Sequence, residues 1–365
     1  MLLTGVFRVF LLYDVAEGFD LDALRTLVGS RGSPAHRAFP RRTPDYVRFE
    51  HVPIVEQAEP FKLSTGEQVP CSLKYYAFAV VVVELEIPFE CDWAGLVSRA
   101  ARWVDAPDLE PIARETVRRH LAAVAPAVIR PNPEKEWLQE DYAVINLTRV
   151  GPAGCAQPTA TDLLAQHGVE IVQVLRGETQ QLLPKVTEEA LQASLSYSEC
   201  DLVVVGAAAA LVYDGSEDAA ATNQVLEYAK TQLLEFRYYD GLMTRLLSQV
   251  YRTLDAKRNL LTSRWSLPRD ARRVNTIRLD VMELTERIDN AIKFVSDMYY
   301  ARLYRLAAAR MGVNDYRVLV DEKLATVGQL YGFMVDQFNE LRSFVLEVIV
   351  TILALGDIIL WLRSK

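Results

Sequence analysis

The sequence predicts an α+β protein made of three parts. A mixed α/β domain spans residues 1–215, a hairpin of long α-helices with coiled-coil character spans 216–343, and a single C-terminal transmembrane helix spans 344–362. Short runs rich in Val, Ile, Phe and Tyr alternate with helical segments before position 215, which is typical of a mixed domain. Beyond it glycine and proline become sparse and the apolar period becomes helical. The chain then ends in a long apolar run, which predicts the third part.

Composition limits the class of protein. Half of the residues are hydrophobic and 24% are charged, as in folded proteins. The net charge of −8 makes whole-chain attraction to nucleic acid unfavourable. The four cysteines are scattered without a CxxC pair, so they indicate core residues in a reducing compartment rather than metal ligands.

In the first part the strands and helices are predicted in alternation. The predicted strands are Val6–Leu12, Tyr46–Val55, Tyr75–Ile87, Ala143–Arg149, Glu170–Leu175 and Leu202–Tyr213. The predicted helices are Leu21–Val28, Trp93–Val104, Leu109–Ala123, Thr161–His167 and Glu188–Ser196. Asp20, Asp92 and Asp108 precede the first three helices as candidate N-caps.

Three long helices follow, at about Ser216–Thr262, Ala271–Met311 and Tyr316–Leu362. In the third helix, apolar residues alternate steps of three and four from Leu324 to Leu362 without a break. A seam of that length predicts coiled-coil packing, either within the chain or between chains.

The apolar run at residues 344–362 predicts a tail anchor. Thirteen of these residues are Leu, Ile, Val or Phe, and nineteen helical residues span about 28 Å, close to the hydrocarbon thickness. Glu347 and Asp357 oppose insertion, whereas Arg342 and Trp361 flank the run as interfacial residues do. The protein is therefore expected at the cytoplasmic (inner) membrane with the bulk of the chain in the cytoplasm.

A basic turn joins the first two long helices. Because its charge is concentrated, it can rest on anionic headgroups, touch RNA or simply be solvated. Its candidate contact residues are Lys257, Arg258, Arg264, Trp265, Arg269, Arg272 and Arg273.

The C-terminal quarter of the chain resembles the "required for meiotic nuclear division" (Rmd/Sif-type) family. The matching positions are Arg317, Val318, Lys323 and Leu324, followed by Leu346, Glu347, Ile349, Leu353 and Asp357. The resemblance implies an α/β domain, a helical hairpin, a C-terminal membrane helix and oligomerisation at a membrane.

Motifs for chemistry are missing from the sequence. It contains no GxxxxGK[ST], GxGxxG, GxSxG or HExxH pattern, so no catalytic residue, cofactor or metal ion is predicted. Glu235, Arg237 and Asp240 are close along one helix and predict a polar network in which Arg237 pairs with Asp240.

These observations predict a non-enzymatic, tail-anchored scaffold or tether. Its expected partners are the membrane, other copies of the chain and a cytoplasmic protein or ribonucleoprotein, with no small-molecule substrate. Two alternatives stay open: a soluble or peripheral oligomeric enzyme with a site in the α/β domain, and a small oligomeric channel lined by Glu347 and Asp357.

Overall fold

The structure is a computed structural model that describes residues 1–29, 53–63, 66–151, 157–214, 219–255, 279, 281–282 and 298–363. The chain divides into two compact units. The first unit comprises Met1–Tyr238 and Ile288–Tyr316, and the second comprises Tyr239–Arg287 and Arg317–Lys365.

The described residues of the first unit form ten strands. They are β1 (Leu3–Asp14), β2 (Ala16–Phe19), β3 (Ile54–Lys62), β4 (Gln68–Tyr75), β5 (Val80–Cys91), β6 (Val128–Pro131), β7 (Leu138–Val150), β8 (Ser194–Leu195), β9 (Leu202–Val205) and β10 (Ala209–Tyr213). Eight of them form one sheet in the order β3-β4-β5-β1-β7-β10-β9-β8, while β2 pairs with β6. Within the large sheet, β7 and β10 are parallel and the other pairs are antiparallel.

Eight α-helices are described in the two units. They are α1 (Leu21–Gly29), α2 (Trp93–Trp103), α3 (Glu110–Ala123), α4 (Ala160–Arg176), α5 (Pro184–Leu191), α6 (Ala219–Asp255), α7 (Met298–Met311) and α8 (Val313–Arg363). Short 3-10 helices occupy Ala125–Ala127 and Glu134–Glu136. Residues 279 and 281–282 are also helical.

The centre of the sheet is buried because side chains alternate between two covered faces. On one face, Phe7, Val9 and Leu11 of β1 belong to a hydrophobic core that α2, α3 and α4 help to build. Phe10 of the same strand is also buried but points to the opposite face. The sheet therefore has a second covered face.

One segment predicted as a strand is a helix. Residues 170–175 were expected to be extended because of their β-branched and aliphatic side chains, but they form the second half of α4. A capping box between Thr159 and Asp162 starts this helix, and Gly177 ends it in the left-handed conformation. These capping signals, together with the packing of Ile171, Val174 and Leu175 into the core, outweigh the local β propensity.

The backbones of β1 and β7 approach closely at Gly5. A Cβ atom added there would lie 2.0 Å from the backbone oxygen of Asn146, beside the register shift between Thr4 and Gly5. Only glycine fits this approach without moving one strand.

The predicted membrane helix requires a correction. Among the helices in the described part of the chain, none combines the length and the apolar character needed to cross a membrane. The transmembrane helix over residues 344–362, and with it the tail anchor, is therefore wrong. These residues continue the 51-residue helix α8, in which Glu347 is exposed, and carboxylates such as Glu347 and Asp357 are costly to place in hydrocarbon.

Candidate functional site

A group of charged side chains lies on the sheet face that carries Phe10. We call it the buried charge network, and its members are Arg8 of β1, Lys74 of β4, Glu84 and Glu86 of β5, Glu227 of α6, and Tyr76, which follows β4. Glu84 and Glu227 are buried. Because buried charges are costly unless they are paired, these side chains must compensate one another.

Lys74 is the central cation of the network. Its Nζ lies 3.0 Å from Glu84 and also forms an ion pair with Glu227. Glu84 receives a second cation, since Arg8 donates to it over 2.5 Å and also pairs with Glu86. The Tyr76 hydroxyl donates to Glu227 over 2.8 Å. The network thus joins three neighbouring strands to helix α6.

Strand register explains why these charges meet. In the antiparallel pair of β1 and β5, Arg8 lies opposite Glu86, and Glu84 is two residues away on the same face. Phe7 and Leu85 point to the other face and enter the hydrophobic core. The sequence signal is charge inside apolar runs, with one arginine in VFRVF and two glutamates in VVVELEI.

The pKa values follow from burial and charge. Burial alone would raise the pKa of Glu84, but Lys74 and Arg8 outweigh it and lower that pKa to about 2. The pKa of Glu227 is raised, first by burial and then by the negative charge of Glu84, although Lys74 opposes the shift. Lys74 keeps its proton because its two carboxylate neighbours outweigh its burial and raise its pKa.

A second group of ion pairs, around the buried Lys230, extends the contact between α6 and the sheet. Glu140 of β7 lies 2.6 Å from Lys230 and also pairs with Arg237. Burial lowers the pKa of Lys230 to about 8, while Asp141 opposes the shift. These pairs fix a second point along α6 against the strands.

The arrangement suits a structural role better than chemistry. Glu227 and Glu84 have almost no contact with solvent, and each is occupied by cations of the same unit. Within the residues that the structure describes, no group of His, Cys, Asp or Glu side chains could hold a metal ion.

The predicted polar network on α6 is divided between the two units. Arg237 pairs with Glu140 in the first unit, and Asp240 accepts a hydrogen bond of 2.5 Å from Lys323 of α8 in the second. Lys323 also donates to Thr244 over 2.8 Å. Glu235 is buried and has interacting neighbours.

The other predicted site residues lie at the end of the chain or in the basic turn. Arg342, Glu347, Asp357 and Trp361 are all part of helix α8. The seven residues of the basic turn lie outside the described residues; they are Lys257, Arg258, Arg264, Trp265, Arg269, Arg272 and Arg273.

Helix α8 changes character along its length. Near its start, Leu324 and Val327 of the apolar seam are buried in the second unit. Farther along, Val348 and Ile352 of the same seam are exposed, with 40% and 62% of their surface accessible. We call residues 331–363 the distal segment of α8. The exposed apolar side chains described in it are a candidate interaction surface, since water contact with such groups costs free energy.

Residues 4–219 match the family described as "Uncharacterized protein MJ0711, N-terminal domain". The uncharacterized protein MJ0711 of Methanocaldococcus jannaschii is 21% identical to this chain over 194 residues, which cover 53% of the chain. The match spans 59% of the length of that relative. No solved structure matches the chain.

The resemblance to the "required for meiotic nuclear division" family is therefore wrong. It depended on the C-terminal quarter of the chain, where a repeated apolar seam makes unrelated long helices look alike. The family match lies instead in the sheet-containing N-terminal part.

Proposed function

The chain belongs to the family of the MJ0711 N-terminal domain, and we propose that it is a non-enzymatic scaffold whose copies associate through the distal segment of α8. In this proposal the N-terminal sheet domain is the part that the scaffold presents to its partner. The cytoplasmic protein or ribonucleoprotein that it would hold stays a prediction.

The observation that carries the proposal is the exposure of Val348 and Ile352. Both continue the seam that is buried at Leu324 and Val327, so among the described seam residues the first two are covered and the later two are open. Burying an exposed aliphatic side chain contributes roughly 1.5–3 kcal/mol. A second copy of the chain offers an identical stripe and can cover it along its whole length.

The seam favours a coiled coil of two parallel helices. From residue 345 onward the first core position of each heptad is Val345, Ile352 or Ile359, all β-branched. The second core position is Val348 in the first of these heptads and Leu355 and Leu362 in the next two. A β-branched residue at the first position with Leu at the second is typical of parallel dimers. The distal segment is about 50 Å long, which is ample for a stable coiled coil.

The buried charge network supports the non-enzymatic part of the proposal. Its two buried carboxylates, Glu84 and Glu227, are paired with cations where α6 packs on the sheet, so they would hold the fold rather than meet a substrate.

The test compares Ile352→Lys with Val350→Lys in the full-length protein. Ile352 and Val350 are equally exposed, at 62% and 64%, but only Ile352 lies on the seam. Light scattering after size exclusion should give wild type and Val350→Lys the mass of two 41.2-kDa chains. Ile352→Lys should give the mass of one, because a lysine at a core position disfavours pairing.

Two results would contradict the proposal. A wild-type protein that stays monomeric at high micromolar concentration lacks the association altogether. An equal loss of mass in both variants would mean that general apolar stickiness, rather than the seam, joins the copies.

A further inference from the structure

A pocket of about 390 Å³ opens in the first unit between α4, α5, α7 and the turn that joins β9 to β10. Its volume lies within the range of small-molecule sites. The pocket is independent of the distal segment, which belongs to the second unit.

The base of the pocket is apolar. Val172 and Leu175 of α4 and Val205 of β9 line it, and all three are buried. The turn beside them consists of Gly206, Ala207 and Ala208, so no long side chain fills the space. A Cβ atom on Gly206 would lie 2.9 Å from the backbone oxygen of Ala209, which keeps this position small.

Two guanidinium groups stand at the rim. Arg310 of α7 donates to the backbone oxygen of Glu189 over 3.0 Å, and this bond holds the side chain at the pocket. Arg176 pairs through Nε with Glu178 over 3.2 Å. With two cations and one carboxylate, the lining carries one net positive charge. Each guanidinium has five N–H donors, and each of these bonds uses a single nitrogen.

We propose that this pocket binds a small apolar monocarboxylate, with the carboxylate on Arg310 and Arg176 and the hydrocarbon body on the aliphatic base. Guanidinium groups bind carboxylates through paired, charge-assisted hydrogen bonds, which are about twice as strong as neutral ones. The apolar base selects a hydrocarbon body over a hydrated anion such as phosphate. This site would add ligand binding to the proposed self-association, and ligand binding does not depend on that self-association.

The experiment is calorimetric titration of the full-length protein with octanoate, with 1-octanol and inorganic phosphate as comparison probes. Octanoate should bind. 1-Octanol should bind more weakly because it lacks the charge, and phosphate should bind more weakly because it lacks the apolar body. Arg310→Leu should weaken octanoate binding at least about 10-fold, as expected for losing a charged hydrogen bond. The matched control is Arg305→Leu, which removes an exposed arginine of the same helix outside the pocket lining and should bind as wild type does.

A second variant tests the location of binding without removing a charge. Ala207 is exposed at the turn, so Ala207→Phe should narrow the pocket without disturbing the core and should also weaken octanoate binding. The proposal is overturned if octanoate gives no saturable binding up to 10 mM (roughly the weakest affinity a small site would show). Unchanged binding in Arg310→Leu or Ala207→Phe, or an equal loss in Arg305→Leu, would also overturn it.

Discussion

Replacing Lys74 with Met should destabilise the first unit in a pH-dependent way. Lys74 compensates both Glu84 and Glu227. In the variant Glu84 keeps Arg8 at 2.5 Å, but Glu227 keeps only a neutral partner in the network, the Tyr76 hydroxyl at 2.8 Å. Glu227 then becomes a buried carboxylate without a cation in the network, which is among the most costly situations in a folded protein.

The loss of folding stability that comes from Glu227 is limited, because the buried carboxylate can take up a proton instead of staying charged. The ordinary pKa of this carboxyl is 4.5, burial already raises it in the wild type, and removing Lys74 takes away the charge that opposes the rise. Taking up a proton at pH 7 costs at most about 3.4 kcal/mol, and at pH 5.5 at most about 1.4 kcal/mol. A raised carboxyl pKa means that the folded state binds more protons, so its stability falls as pH rises above 4.5. The deficit of Lys74→Met should therefore shrink as the pH is lowered.

The assay is urea unfolding of the full-length protein at pH 5.5 and pH 7, followed by far-ultraviolet circular dichroism. The matched control is the double variant Lys74→Met/Glu227→Gln, which removes the uncompensated charge and keeps an acceptor for Tyr76. It should regain most of the stability at pH 7 and lose the pH dependence. A deficit of equal size at both pH values, or a double variant no more stable than Lys74→Met, would refute the reasoning.

Two further predictions concern the sheet. Burial raises the pKa of Asp14 from 3.8 to about 7, against the backbone N–H of Ala16 that lowers it. The wild type therefore loses stability as pH rises from 4 to 7. Asp14→Asn cannot ionise, so in urea unfolding it should be more stable than wild type by up to about 4 kcal/mol at pH 8 and equally stable at pH 4. A stability difference that does not change with pH would contradict this. Gly5→Ala should cost about 3 kcal/mol or more by thermal unfolding because of the 2.0 Å approach to Asn146. Gly29→Ala, with open space around it, should cost nothing, and similar melting temperatures for the two variants would count against the close approach.

The sequence alone predicted long helices that overlap α6 and α8, and strands that overlap β1, β5 and β7. Most of the predicted second long helix, Ala271–Met311, lies outside the described residues. The apolar run around Phe7 predicted β1, and the N-cap residue Asp92 predicted the start of α2, where the structure shows its side chain accepting from the backbone N–H of Gly95. The predicted bounds of the last two long helices leave a break at residues 312–315, and in the structure the break narrows to Gly312, which has a positive φ of 85°. These features could be predicted because they depend on side chains within a few residues of each other.

Local patterns misled the prediction where distant contacts decide. Residues 170–175 include β-branched side chains but are helical, because Ile171, Val174 and Leu175 pack into a core built from segments that are distant in the sequence. The apolar run at 344–362 was interpreted as a membrane span on its aliphatic count, although it belongs to one continuous helix with α8.

The candidate sites depended on tertiary structure even more. Arg8 and Glu84 are 76 positions apart, and Glu227 lies more than 140 positions beyond Glu84, so only strand register and the packing of α6 bring them together. The pocket at Arg176 and Arg310 likewise joins residues from separate helices. The sequence by itself determined which segments are apolar and where a capped helix such as α2 begins, because these are short-range properties of the chain. Only the tertiary structure decided which charges compensate each other and which seam residues stay exposed, because burial and electrostatic interaction depend on distances that sequence spacing does not fix.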